Sequence, residues 1–281
     1  MAHGDMSPKS FSARMARCGN RTRESAIAKT RALLQHPGLS ADQRGVAEAR
    51  LEQLRRWCGD TSVVIAPAVS DAMKAEALAL MVHREKVLSV TDAGFRELHS
   101  FMKDCVAPTP NPRNPSTYLR RKQCTFTTPG TAAYTFAGQF NQHFCTVVSE
   151  WPTAVRDALT YVRTMPEHAE DKYFYTAVHV NIYEDGGVGV NPHQDNETNM
   201  VQDKPIYSFT LLEDPSTPRD FQIYDTNKSK LVAVPLGHRD LLVMKPGMQS
   251  RFFHGIEKVR PFKRFKPRIN LTVRAVKEAS P

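Results

Sequence analysis

Two imidazoles and one carboxylate, from His193-Gln194-Asp195 and from His254 far downstream, make up the ligand set of the facial triad used by non-haem Fe(II) oxygenases. Such a triad leaves three octahedral positions open. If His193 and Asp195 share a strand, residues i and i+2 point to one face, so both reach the same ion while Gln194 turns away. A His-x-Asp tripeptide alone is a weak signal, commonest on solvated loops. The chain holds ten histidines, and His3, His36, His83 and His99 sit in no partner pattern. The third ligand therefore needs support from elsewhere.

That support comes from Pro267 to Arg274, where Arg268, Asn270, Thr272 and Arg274 alternate with Ile269, Leu271 and Val273. A period of two predicts a strand with one polar face. Two arginines on one face more often mark a solvated edge strand, yet a dicarboxylic acid needs a guanidinium fork at each end, and arginine's planar donors match carboxylates. Upstream, Val180-Asn181-Ile182-Tyr183 alternates in the same way and offers an amide and a phenol that complete such an acid's hydrogen bonds.

With these residues in place, the chain resembles the AlkB family of Fe(II)- and 2-oxoglutarate-dependent nucleic-acid dealkylases, nearer its animal DNA-repair branch than its RNA-methyl erasers. Asn181-x-Tyr183, His193-x-Asp195-x-Glu197, Pro205-Ile206, Gly237-His238-Arg239-Asp240-Leu241-Leu242, His254-Gly255 and Arg268-x-Asn270-Leu271-Thr272-x-Arg274 fall in family order over about residues 115 to 275. The resemblance implies iron held by His193, Asp195 and His254, the catalytic centre. It implies 2-oxoglutarate held by Asn181, Tyr183, Arg268, Asn270 and Arg274, with O2 as second co-substrate. It places Glu197 against the damaged base, where the plainer reading is a solvated loop acid. The implied reaction is oxidative demethylation of N-alkylated bases of the 1-methyladenine and 3-methylcytosine type in DNA or RNA, releasing formaldehyde, succinate and CO2.

A second block, Arg121-Lys122-Gln123 to Tyr134-Thr135-Phe136-Ala137-Gly138, resembles the nucleotide-recognition lid of the same branch. It implies substrate contacts from Arg121, a hydrogen bond from Tyr134 and stacking from Phe136, since an extruded base needs aromatic contact to offset lost stacking. On a strand, Tyr134 and Phe136 share one face, which suits a pocket wall or a core wall. Ala137 departs from the family, where a hydroxyl residue is common. The run Ala107-Pro108-Thr109-Pro110-Asn111-Pro112-Arg113-Asn114-Pro115 replaces the segment that presents an apolar wedge in duplex-preferring members. Single-stranded substrate is therefore expected, because extrusion costs least where stacking is already broken.

Bulk charge agrees with a polyanionic partner: 38 Lys+Arg against 29 Asp+Glu give a formal +9, which favours phosphate contacts without choosing DNA over RNA. The run Lys258, Arg260, Lys263, Arg264, Lys266 reads as a phosphate-tracking loop or a plain solvated one. Five cysteines form no Cys-x-x-Cys pair, so neither a structural zinc nor a disulfide framework is suggested, and an intracellular, reducing compartment is expected. With no apolar stretch of spanning length and no signal-peptide core, a soluble protein, acting as a monomer and away from membranes, is expected.

The fold class expected is α+β: a double-stranded β-helix, or jelly-roll, core with flanking helices and a helical N-terminal extension. Residues 1–61 read as a basic arm, with 11 Lys+Arg and 6 Asp+Glu up to Asp60, followed by helices over Thr22–Gln35 and Ala41–Cys58. Residues 62–281 read as the oxygenase domain. It opens with a strand at Val63–Ile65 and a helix over Asp71–Val82 capped by Ser70. A helix over Pro152–Thr164 and strands at 174–183, 206–212, 221–224, 231–234, 241–244 and 269–275 come after it. Two other classes stay open. The same iron site could act on a protein or small molecule, leaving Glu197, Phe136 and the basic rim without a purpose, or the chain could bind nucleic acid without turning over.

Overall fold

The computed structural model describes residues 67–111, 114–132, 142–170 and 174–277. The expected N-terminal helices and the strand at Val63–Ile65 lie outside the described residues, as do Tyr134, Phe136 and Ala137. Compactness divides the chain between Ser70 and Asp71, and the second unit carries every strand among the described residues.

Helix α1 (Pro67–Ala79) begins at a proline, whose missing N–H costs nothing in a first turn. It stops three residues before the expected end, because Met81–Arg84 forms strand β1 instead. The reason is tertiary: β1 pairs antiparallel with Leu241–Met244 and completes a sheet edge. Helix α2 (Asp92–Asp104), absent from the elements expected of the sequence, is capped by the Thr91 side chain accepting from the Gly94 N–H and buries Phe95, Leu98 and Met102.

The Pro-rich run becomes a small ribbon of β2 (Pro110–Asn111) and β3 (Asn114–Tyr118). An aromatic ring is not expected there, yet Tyr118 stands 62% exposed on it. Next come β4 (Lys122–Thr127), β5 (Gln142–Cys145) and helix α3 (Thr153–Arg163). Strands β6 (Tyr175–Tyr183), β7 (Val190–His193), β8 (Ile206–Leu212), β9 (Arg219–Tyr224), β10 (Lys230–Leu236) and β11 (Leu241–Met244) succeed them. A one-turn helix, α4 (Met248–Arg251), leads into β12 (Phe253–Ile256), and β13 (Arg268–Ala275) comes last.

These strands form two facing sheets of a jelly roll. The larger runs β1-β11-β8-β13-β6-β4-β5, and the smaller β10-β9-β12-β7. Among the described strands, only β4 and β5 pair in parallel. The arginine-bearing β13 is no solvated edge: it lies between β6 and β8, and all eight of its residues are buried. Ile269, Leu271 and Val273 join Val178, Val180 and Ile182 of β6 in a core with Leu98 and Met102 of α2 and Val155, Leu159 and Val162 of α3. The opposite, polar residues of the same strands face the space between the sheets.

The motif Gly237-His238-Arg239-Asp240 turns out to be architectural. The Asp240 carboxylate accepts from the Gly237 N–H at 2.7 Å, from the His83 ring at 2.9 Å and from the Lys86 N–H at 3.2 Å, fixing the turn into β11. His83, without a partner pattern in the sequence, is thus a structural histidine.

Candidate metal and co-substrate site

His193 closes β7 and lies directly across from His254 on β12, so the pairing of two short strands brings the two imidazoles together with ring centroids 4.3 Å apart. Gly255 makes that pairing possible. A Cβ on it would sit 2.8 Å from the Val190 carbonyl oxygen, at the point where the β7–β12 register shifts between His254 and Ile256. Phe221 of β9 stacks on His254 at 5.2 Å and orients its ring. The Nδ1 of His193 lies 2.9 Å from the Asn191 carbonyl oxygen. A carbonyl only accepts, so Nδ1 carries the proton and Nε2 keeps its lone pair for a metal.

Asp195 is not on the strand. β7 ends at His193, so the i, i+2 argument fails and other contacts set the carboxylate. The Asp195 N–H donates to Oε1 of Gln249 at 2.9 Å, and Nη2 of Arg274 donates to Oδ2 at 2.5 Å. So held, Asp195 places Oδ1 at 3.6 Å from Nε2 of His193 and Oδ2 at 3.8 Å from Nε2 of His254. All three ligand atoms lie within 4.8 Å of one another.

The electrostatics suit a dication. Burial lowers the His193 pKa to about 4 and pushes His254 well below its usual value, so both rings are neutral, as metal ligands must be. Burial, with the nearby Glu197 charge second, raises Asp195. A bound Fe(II) would reverse that penalty by supplying the missing positive charge.

Beside the triad the polar row of the larger sheet forms one pocket. Tyr183, Asn181 and His179 on β6 register against Arg268, Asn270 and Thr272 on β13, and Gln123 and Thr125 on β4 register against Asn181 and His179. Neighbours hold these groups in place. Asn270 Nδ2 donates to Ser208 Oγ at 2.8 Å and to the Phe209 carbonyl at 3.0 Å, and Thr272 donates to Asn270 Oδ1 at 3.0 Å. Arg268 is almost fully buried, and its Nη2 donates to Thr210 Oγ1 at 3.0 Å. Its Nε and Nη1 have no hydrogen-bond partner among the described residues, and neither does Oδ1 of Asn181. A buried cation with two open donors is a cradle for an anionic oxygen ligand. The Tyr183 ring lies 5.1 Å from that guanidinium, and Arg219 approaches the same ring at 5.8 Å.

The two arginines of β13 do different things here. Six residues of strand separate their backbones by about 20 Å, and Arg274 spends Nη2 on the metal carboxylate rather than opening wholly into the pocket. Arg121 is buried and lines the same pocket, donating Nη2 to Gln123 Oε1 at 3.0 Å. His179, Thr210, Ser208, Phe221 and Gln249 are not found by sequence reasoning. Only His179 carries a usable signal, as the residue two before Asn181 on the same alternating strand. It is buried and bonded to Thr125 Oγ1 at 2.9 Å, with a pKa lowered by burial to about 3.

Glu197 sits in the turn after Asp195, pinned by its own carbonyl, which accepts from the Met200 N–H at 3.1 Å and Gln202 Nε2 at 2.9 Å. It is half-buried, burial raises its pKa to about 7, and its Oε2 has no hydrogen-bond partner among the described residues. Arg219 joins two loops through the carbonyls of Val188, at 2.9 Å, and Glu257. Lys258, Arg260, Arg264 and Lys266 of the second loop are exposed.

Residues 96–274 match the family model described as the 2OG-Fe(II) oxygenase superfamily. No curated protein matches the chain. Among solved structures, one described as "The structure of OsALKBH1" aligns at 20% identity with a TM-score of 0.42, over 69% of this chain and 96% of that one. The matched family span holds the triad and both arginines of β13, and the donors there fit one metal ion beside one dicarboxylic acid. The chain belongs to the 2OG-Fe(II) oxygenase superfamily, with Fe(II) as its metal and 2-oxoglutarate and O2 as its co-substrates.

Proposed function

We propose that the protein is an AlkB-type demethylase that removes N-methyl groups from 1-methyladenine and 3-methylcytosine in single-stranded DNA, and in RNA of the same form. The observation that carries this reading is Glu197: a half-buried carboxylate with an open oxygen, two residues past the metal aspartate. Both bases are cations when methylated at these ring nitrogens, and each presents an exocyclic amino group. A carboxylate at that point accepts from the amino group and offsets the ring charge. The exposed basic loop and the formal charge of +9 suit a phosphate backbone.

The chemistry that the loaded metal centre supplies is oxygenation of a methyl C–H bond, coupled to oxidative decarboxylation of 2-oxoglutarate. The residues of the chain provide position and exclusion of water. His193, Asp195 and His254 hold the metal. Arg268, Tyr183 and Asn181 orient the acid. Phe136 stacks on the base, Tyr134 and Arg121 complete its contacts, and Glu197 sets its methyl toward the metal. Once hydroxylated, the N-methyl carbon collapses to formaldehyde and leaves the unmodified base.

The test is formaldehyde release and product analysis on single-stranded and duplex DNA and RNA oligonucleotides carrying either base, with His193→Ala as the control. Wild type should demethylate single strands faster than duplexes, and the control should do nothing. Glu197→Ala should lower kcat/KM on methylated oligonucleotides by about 10²-fold, roughly the loss of a charge-assisted hydrogen bond of 1.5–3 kcal/mol. Its substrate-free consumption of 2-oxoglutarate should stay within a few-fold of wild type. Iron-dependent consumption of 2-oxoglutarate with no methyl removed from any oligonucleotide would move the substrate to a protein or small molecule. Equal rates on duplex would remove the single-strand preference and direct attention to the exposed ring of Tyr118.

A further inference from the structure

The metal aspartate lies beyond the end of its strand, so the β-sheet ladder that positions both histidines does not position it. Something else must hold its backbone. The Asp195 N–H donates to Oε1 of Gln249 at 2.9 Å, and the amide that accepts it is nearly inaccessible, at 9% exposure. The other end of that amide is fixed as well: Nε2 donates to Sδ of Met244 at 3.3 Å, which settles which end faces Asp195. Gln249 belongs to α4, whose last residue is three short of His254 and whose Met248 is fully buried. Arg251 of the same turn forms an ion pair with Glu76 on α1.

We infer that Gln249 is a positioning residue for the iron centre: its side-chain carbonyl fixes the backbone of Asp195 and couples it to the segment that delivers His254. Gln249 thus ties the Asp195 backbone to the His254 segment where no strand pairing does, while Arg274 holds the carboxylate. Outer contacts of this kind set metal affinity by about 10- to 100-fold when removed, and a buried N–H left without an acceptor is costly in its own right. Such a role in metal binding is independent of which substrate is demethylated.

Two replacements give opposite rankings under the two explanations. Gln249→Met keeps length and apolar fit but offers only a weak thioether sulfur in place of the amide carbonyl, whereas Gln249→Glu keeps a strong acceptor but places an acid in a buried position. If Gln249 positions Asp195, Met should weaken Co(II) binding, followed by the visible ligand-field spectrum of the substituted protein, by about tenfold or more. Glu should stay close to wild type. If Gln249 only fills space, Met should bind Co(II) as wild type does and Glu should be the damaged variant, and either result overturns the inference. Should neither variant fold, amide hydrogen exchange of the wild-type protein decides. The Asp195 N–H is expected to be protected in the metal-free state, and exchange at the rate of an open loop would rule out the hydrogen bond as the holding contact.

Discussion

Asp195→Ala is expected to abolish 2-oxoglutarate turnover and also to lower the stability of the metal-free protein, whereas His193→Ala is expected to abolish the same turnover with little effect on the fold. The difference lies in what each ligand touches. Asp195 takes Nη2 of Arg274 at 2.5 Å, with both side chains almost fully buried. Removing one partner of a buried ion pair costs about 3–5 kcal/mol. Burial lowers Arg274 to about 9, so it stays charged at neutral pH and cannot escape that cost. His193 is partly exposed, and burial keeps its ring neutral, so its removal leaves no buried charge behind. In thermal unfolding without metal, the Asp195→Ala midpoint should fall by about 10 °C for a domain of this size. The double replacement Asp195→Leu with Arg274→Met should recover most of the loss while remaining inactive. Equal midpoints for Asp195→Ala and His193→Ala would show that Arg274 does not depend on this carboxylate.

Arg268→Met should produce the opposite pattern. Its guanidinium is buried beside Thr210 and Tyr183, burial lowers its pKa, and two of its donors face the pocket. In the ligand-free protein it is a buried cation, and on the proposed reading its counter-charge would arrive with 2-oxoglutarate. Removing it should weaken 2-oxoglutarate binding by about 10²-fold or more, in line with about 2–5 kcal/mol for truncating one member of a desolvated charge pair. The ligand-free protein should hold or gain thermal stability, because an unpaired buried charge is gone. Calorimetric titration of 2-oxoglutarate into the Co(II)-loaded protein measures the first effect, and unfolding without co-substrate the second. Unchanged affinity would take Arg268 out of the co-substrate site. On this reading two arginines six residues apart on one strand would have opposite signs of effect on the free protein: Arg274 has its acid in the fold, and Arg268 would take it from solution.

Much of this is legible in the amino-acid sequence alone. Strands β8 and β11 fall on the residues that alternation and turn signals mark, and β6, β9, β10 and β13 agree within a few residues at either end. Most of these segments are long or rich in β-branched residues, and the short β11 is a continuous apolar run, so local pattern and tertiary demand coincide. The alternation of Arg268 to Arg274 is readable for a related reason: one face must pack against α2 and α3 while the other stays polar.

The rest depends on partners distant in sequence. Met81 and Val82 read as the tail of a helix, and Met81–Arg84 becomes a strand because β11 offers an open edge. Gln249 has no local pattern at all, since its meaning comes from an N–H in a different segment. Residue type marks Asp195 as a candidate ligand, while the geometry expected of it, a shared strand with His193, is wrong. Chemistry can be read from residue identity, but a position beyond the end of a strand has no period from which to read it.

The distance between the two imidazoles rests on Gly255, which offers the metal nothing. A methyl group there would meet the Val190 carbonyl oxygen at 2.8 Å, so Gly255→Ala must pry β12 from β7 and widen the gap that the metal bridges. Such a protein would keep His193, Asp195 and His254 and still bind iron poorly, which metal titration of Gly255→Ala would show. A search for intact oxygenases that checks only for the three ligands would count it as competent. An inventory of competent sites in this superfamily therefore has to include the places where a side chain must be missing.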